Sequence, residues 1–203
     1  IDIEEICNAK DIDPEVKNRI PEKKFIVMYA GKIGISNALE YLLFAAGKLR
    51  NNDQIHIVIA GDGSEKQRFI KLKEEEKLEN VTFIDPVKKE QVPSLLSFAD
   101  VFYIGWHKNN LYKYGISANK LFDYMYAGKP VIHSVQIESN DSVKESASGI
   151  SVEPENPDAI ANAVLKLYNM SENDRMEIGR KGKEHILLNH TYEKLSDSYI
   201  KIF

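Results

Sequence analysis

A single cysteine, Cys7, occurs among the 203 residues. One thiol rules out an intrachain disulfide and a thiolate metal cluster, and it fits a reducing cytoplasm. Long hydrophobic runs are missing as well. No stretch approaches the roughly 20 apolar residues that cross a bilayer, and no secretory leader opens the chain, so a cytoplasmic product with no transmembrane segment is expected. Positive charge is in deficit. The formal net charge of −4 argues against nucleic acid as a partner, while leaving room for one local basic site of the size of a diphosphate. The five histidines form no HExxH motif and no two stand at i and i+4. No serine sits in a GxSxG elbow. No metal cofactor is expected.

What is present is enough apolar sequence, 43%, to bury one core of ordinary size. The opening, Ile1 to about Lys24, is charged, broken by Pro14 and Pro21, and without a sustained period. It reads as a linker, residues 1–24, leading into one domain, 25–203. A start at Ile1 inside charged sequence points to a piece of a longer protein. From Phe25 onward the pattern is periodic. FIVMYA, 25–30, is an apolar run of the kind buried on both faces of a parallel sheet. Leu39, Leu42, Leu43, Ala46 and Leu49 then share one helical face. Ile55–Ala60 predicts a second strand ending in Gly61-Asp62-Gly63, and Ser64 with Gln67 predicts a capping box that opens a Lys- and Glu-rich helix. Further strands are expected at Val81–Ile84, Val101–Ile104, Val131–His133 and Gly149–Val152, with a short helix over 89–98. In the tail, Asn156 with Pro157 opens one helix, Ser171 with Asp174 a second, and Thr191 a third whose Tyr192, Leu195 and Tyr199 face inward. The alternation predicts an α/β fold, a Rossmann-like doubly wound parallel sheet with C-terminal helices.

The densest chemical signal is GISANKLFDYMYAGKPVI, 115–132. Ser117 is a good N-cap, which places Ala118, Asn119 and Lys120 in the first helical turn, where free N–H groups and the positive dipole end favour an anion. A lysine there is disfavoured by roughly 0.3–1 kcal/mol unless a negative group intervenes, as a ligand phosphate does. Gly128 ends the helix and Pro130 prevents its continuation. Ligands of open parallel sheets gather beyond the carboxyl ends of the strands. Lys32, in the loop Gly31-Lys32-Ile33-Gly34 after the first strand, falls at that same edge, so Lys32 and Lys120 together suit a diphosphate and Asp123 suits sugar hydroxyls. Plainer readings stay open beside these. Gly31 and Gly34 also suit a simple strand-to-helix turn, and so does Gly61-Asp62-Gly63, which lacks the third glycine of the dinucleotide fingerprint. Lys120 and Asp123, at i and i+3, are also spaced for a solvated ion pair. Trp106 and His107 read as a loop anchor or a pocket lining, and His56 as a residue packed within its strand.

Four pieces in order, MYAGKIG, IAGDGSEK, VTFIDPV and GISANKLFDYMYAGKPVI, resemble the C-terminal, donor-binding half of a GT-B, family 4 retaining glycosyltransferase over about 25–203. NKLFDYM is similar to the NKLFEYM-like run of a bacterial, fucosamine-transferase-like branch that builds surface polysaccharides such as capsule, O-antigen and lipopolysaccharide. The resemblance implies that Gly31, Lys32 and Gly34 form the loop against the donor diphosphate, and that Ser117, Asn119 and Lys120 bind phosphates or sugar. It implies that Val87 offers backbone groups to the base and that Asp123, the second acid of the family's paired-glutamate signature shortened by one methylene, meets the ribose. Gly115 stands where the first acid of that pair is found, and Gly34-Ile35-Ser36-Asn37 replaces a second basic residue, for which Lys120 compensates. The implied substrate is a nucleotide-diphosphate sugar, used without a metal. The implied acceptor is a glycan or lipid-linked glycan reached through an N-terminal domain outside this sequence. The fragment alone would then transfer little, its catalytic residues are unassigned, and the full-length parent would work in the cytoplasm or at the inner face of the membrane. Asp11-Ile12-Asp13 resembles the DxD of metal-dependent GT-A transferases but lies in the lead-in, where it reads as solvated charge. Two other classes fit the same elements: a non-catalytic nucleotide-binding or regulatory module on a flavodoxin-like sheet, and half of a sugar-nucleotide epimerase.

Overall fold

The computed structural model describes residues 6, 8–116, 118–194 and 196. The apolar run after the lead-in is strand β1 (Phe25–Ala30), buried at every residue but the last, as a strand covered on both faces must be. β2 (Ile55–Ala60), β3 (Val81–Ile84), β4 (Val101–Gly105), β5 (Val131–Ser134) and β6 (Gly149–Val152) join it in one six-stranded sheet. All neighbours pair in parallel, in the order β3-β2-β1-β4-β5-β6. The order reverses between β1 and β4, so the loops leaving these two strands diverge and open a crevice at their carboxyl ends.

Side chains alternate between two cores, as the strand period of two requires. Val27, Tyr29, Ile57, Ile59 and Tyr103 point to one face, against α2 (Leu39–Leu49), α3 (Lys66–Glu75) and α7 (Pro157–Tyr168). Ile26, Met28, Val58, Phe102 and Ile104 point to the other, against α4 (Val92–Ser97), α5 (Asn119–Tyr126) and Ile186 of α8 (Glu172–Asn189). Two short helices, α1 (Pro14–Lys17) in the lead-in and α6 (Ser142–Glu145) before β6, complete the described elements named here. α7 and α8 begin where their caps predict. Asn156 Oδ1 accepts from the Ala159 N–H at 3.0 Å, and Ser171 Oγ from the Asp174 N–H at 3.2 Å.

Other local expectations are overruled by neighbours. The Ser64–Gln67 capping box does not form: α3 starts at Lys66, its cap position is Glu65, and no side chain caps it. The Glu65 N–H instead donates to the Ile33 carbonyl at 3.1 Å, because the loop after β1 lies close enough to satisfy it. Thr191 Oγ1 does accept from the Lys194 N–H at 3.3 Å. Tyr192, however, is 64% exposed rather than inward-facing; Leu195, Tyr199 and Cys7 lie outside the described residues. The described part of the lead-in runs along the domain. Ile12 and Ile20 are buried in the second core, and Gln91 Nε2 donates to the Asp11 carbonyl at 2.9 Å and to Asp13 Oδ1 at 3.1 Å. Both aspartates face solvent. α8 seats on the turn between α5 and β5 through Gly179, where an added Cβ would lie 1.9 Å from the Gly128 carbonyl oxygen.

Candidate functional site

The crevice holds a cavity of about 420 Å³. Ala30, Gly31 and Lys32 at the end of β1 form one wall, and Lys120 with Asp123 of α5 another. Ala60–Asp62 after β2, Pro86 and Val87 after β3, and Val92 and Leu95 of α4 close the far end. Lys32 and Lys120, 88 positions apart in the numbering of the chain, therefore line the same space. Of the other expected residues, Gly34 is buried in the loop beside Lys32, Asn119 is exposed at the first position of α5, and Ser117 lies outside the described residues.

Helix α5 starts one residue later than its sequence predicts. Its cap position is Ala118, extended at φ −130 and ψ 118, with no side-chain cap. This leaves first-turn N–H groups at the helix start without a cap from Ala118's side chain. Lys120 is the second helical residue, and it does not pair with Asp123. Its ammonium crosses to β1 and the following turn, donating to Tyr29 Oη at 2.7 Å and to Asn37 Oδ1 at 2.6 Å. It also sits 4.7 Å from the centre of the Tyr29 ring, a cation–π distance. Tyr29 Oη–H and Asn37 Nδ2 in turn donate to the Lys32 carbonyl at 2.5 and 2.9 Å. The two lysines are thus joined through Tyr29 and Asn37. Among the described residues Lys120 forms no salt bridge, and burial lowers its ammonium to about 8. A half-buried cation whose partners are neutral oxygens is best satisfied by an anion.

A residue that sequence reasoning passed over fixes α5 in this pose. Tyr124, fully buried, donates from Oη to the Ala30 carbonyl and accepts from the Ala30 N–H, each at 2.8 Å. Its ring stacks on Phe102 with centroids 4.3 Å apart. Spaced i and i+4 from Lys120, it shares that helical face, which was the one signal available for it. Tyr29 and Asn37 carried none: each looks like ordinary strand or turn sequence.

The glycines after β2 serve close approach of one loop to another. Gly61, at φ +139, would place a Cβ 1.9 Å from the Gly31 carbonyl oxygen, and Gly63 a Cβ 2.1 Å from that of Ile33. Gly31 N–H donates to the Ala60 carbonyl at 2.9 Å, and Ile33 N–H to that of Asp62 at 2.7 Å. Val87 lines the cavity, and among the described residues its N–H and C=O have no hydrogen-bond partner. Trp106 and His107 are anchors. The Trp106 indole N–H donates to His133 Nε2 at 3.3 Å, which leaves Nδ1 to donate to Asp141 Oδ1 at 3.1 Å. Burial works to raise the Asp141 carboxyl, but hydrogen bonds from His133 and Ser151 outweigh it and hold it below the usual range. His107 Nδ1 lies 3.0 Å from Glu155 Oε1. His56 packs in its strand, with Nε2 2.9 Å from Thr82 Oγ1, and burial pushes it down to about 4. Among the described residues no group of three His, Cys, Asp or Glu is arranged to hold a metal ion, and no helix is long and apolar enough to cross a membrane.

Residues 12–185 match the family model described as Glycosyl transferases group 1. An uncharacterized glycosyltransferase of Methanocaldococcus jannaschii is 24% identical over 201 residues, covering 99% of this chain and 49% of that protein. The alpha-D-kanosaminyltransferase of Streptomyces kanamyceticus is 26% identical over 171 residues, covering 80% and 43%. Among solved structures, the C-terminal domain of a glycosyl transferase group 1 family protein from Francisella tularensis superposes with a TM-score of 0.71 at 16% identity. It covers 92% of this chain and 98% of that one. The chain spans about half the length of the curated relatives named here.

Proposed function

The chain belongs to the glycosyl transferases group 1 family, and from that premise we propose that it binds the sugar donor of a retaining transferase, with the donor pyrophosphate between Lys32 and Lys120. The observation that carries this reading is the Lys120 ammonium, held by Tyr29 and Asn37 at the start of α5 and facing a cavity shared with Lys32. Fixed positive charge there stabilises a nucleoside diphosphate as it leaves and gains negative charge, because charge held in place before the reaction costs no reorganisation as it proceeds. Gly31 and Gly34 let the loop approach the phosphates, and Asn119 with Ser117 contributes at the helix start. Val87 offers its unpaired N–H and C=O to the base, against Val92 and Leu95. Asp123, on the same wall as Lys120, meets the ribose. No step in this arrangement calls on a metal ion. The family match over 12–185 favours transfer over a regulatory module or an epimerase half.

The acceptor and the remaining catalytic groups come, in this reading, from the other half of a longer protein, consistent with a chain spanning about half of its relatives. NKLFDYM and the similarity to an alpha-D-kanosaminyltransferase support an amino- or deoxysugar donor, and the former supports assembly of a bacterial surface polysaccharide at the cytoplasmic side of the membrane. Calorimetric titration with UDP and GDP tests the central claim. Saturable binding is expected by about 1 mM ligand, and Lys120→Ala should weaken it at least about tenfold. Absence of saturation with either nucleotide, or an unchanged affinity in Lys120→Ala, would overturn it.

A further inference from the structure

Helix α3 buries a lysine where its composition calls for a solvated surface. Lys66 is 7% exposed, while Gln67 and Arg68 beside it face water. Its ammonium donates to the Gly61 carbonyl at 2.9 Å and to Asp85 Oδ1 at 2.6 Å. Gly61 belongs to the loop after β2 and Asp85 to the loop after β3. Gly61, Pro86 and Val87 from these two loops line the far end of the cavity. Asp85 is not fixed by packing, since 77% of its side chain is exposed. Cations hold it: Lys66 on one side and, 3.7 Å away, the guanidinium of Arg19, which also donates to the Phe83 carbonyl at 2.5 Å. A buried ammonium is tolerated only while its acceptors stay in place. Lys66 therefore ties the spacing of the two loops to its own solvation.

We propose that Lys66 is a positioning residue that sets the width of the nucleoside end of the cavity by strapping the Gly61 loop to the Asp85–Val87 loop. This rests on the nucleotide-sugar reading above. Lys66 acts through Gly61 and Asp85, not by touching the ligand. Backbone hydrogen bonds from Gly31 to Ala60 and from Ile33 to Asp62 hold the Gly61 loop to the phosphate loop without Lys66, so its loss should release the Asp85–Val87 loop and spare the pyrophosphate end, where Lys32 and Lys120 stand. A lysine buried for stability alone would show no such split.

The test is calorimetric titration of the chain and of Lys66→Met and Asp85→Ala with two probes, UDP and inorganic pyrophosphate. Both variants should bind UDP about tenfold more weakly and pyrophosphate within about twofold of the unsubstituted chain. The double variant should lose no more UDP affinity than Lys66→Met, because the two side chains form one strap. If Lys66→Met fails to fold, Asp85→Ala carries the measurement, its side chain being largely exposed. Equal weakening of both probes, or no weakening of UDP, overturns the positioning role and leaves the nucleotide reading standing. If the unsubstituted chain takes up neither probe, the nucleotide reading falls and this one with it.

Discussion

At Lys120 burial brings the ammonium down to about 8 from its ordinary value of about 10.5. A bound pyrophosphate favours the charged form, so the complex titrates above the free chain. Between those two values binding takes up a proton, and affinity falls as pH rises through about 8. Titrations with UDP near about pH 8.5, in buffers of different ionisation enthalpy, should reveal that proton uptake, and it should vanish in Lys120→Ala. Heats independent of the buffer would contradict it. Stability of the free chain moves the opposite way. The unfolded state binds more protons between about 8 and 10.5, so this group adds stability as pH rises across that window. Lys120 was legible in sequence because a cation in the first turn of a helix conflicts with the dipole. Its partners were not: Tyr29 and Asn37 lie 91 and 83 positions away. Lys66 also stands in the first turn of its helix, but its burial was hidden, because its acceptors Gly61 and Asp85 come from two loops 5 and 19 positions away.

Among the elements, α8 makes the sharpest prediction. Replacing glycine by alanine inside a helix ordinarily stabilises it by about 0.5–1 kcal/mol. At Gly179 the sign should reverse, because the added Cβ would lie 1.9 Å from the Gly128 carbonyl oxygen and that oxygen is backbone. Gly179→Ala should cost about 1–3 kcal/mol, read as a lower urea midpoint at unchanged slope. A midpoint equal to or above the parent's would show that α8 does not seat so closely on the α5–β5 turn. The strands themselves were readable from composition. β1, β2, β3 and β6 begin and end where their apolar runs do, and β4 and β5 each extend one residue further, to Gly105 and Ser134. Helix starts were less readable. Asn156 and Ser171 cap as their sequences require, but α3 gives up Ser64 because Ile33 supplies an acceptor from another loop. A capping motif is decided locally only where no other chain segment competes for the same N–H.

On the scale of the whole molecule, two cores share one sheet through alternate residues of the same strands. Neither can open without exposing the other, so the chain should unfold in a single transition. UDP in tenfold excess over its dissociation constant should raise the midpoint by about 3–6 °C, as mass action on the native state requires. Two resolved transitions, or a midpoint insensitive to UDP, would count against the architecture or the ligand respectively. Linear order along the chain was sufficient for the strands, most helices, the α/β class and the presence of a basic loop and a lysine-bearing helix start, because period, punctuation and capping chemistry are properties of neighbouring residues. Packing alone settled that Lys32 and Lys120 face one cavity, that Tyr124 pins α5 to β1, and that Lys66 spans two loops. Burial and hydrogen-bond partners are supplied by residues distant in sequence, and they exist only once the sheet has brought its carboxyl ends together.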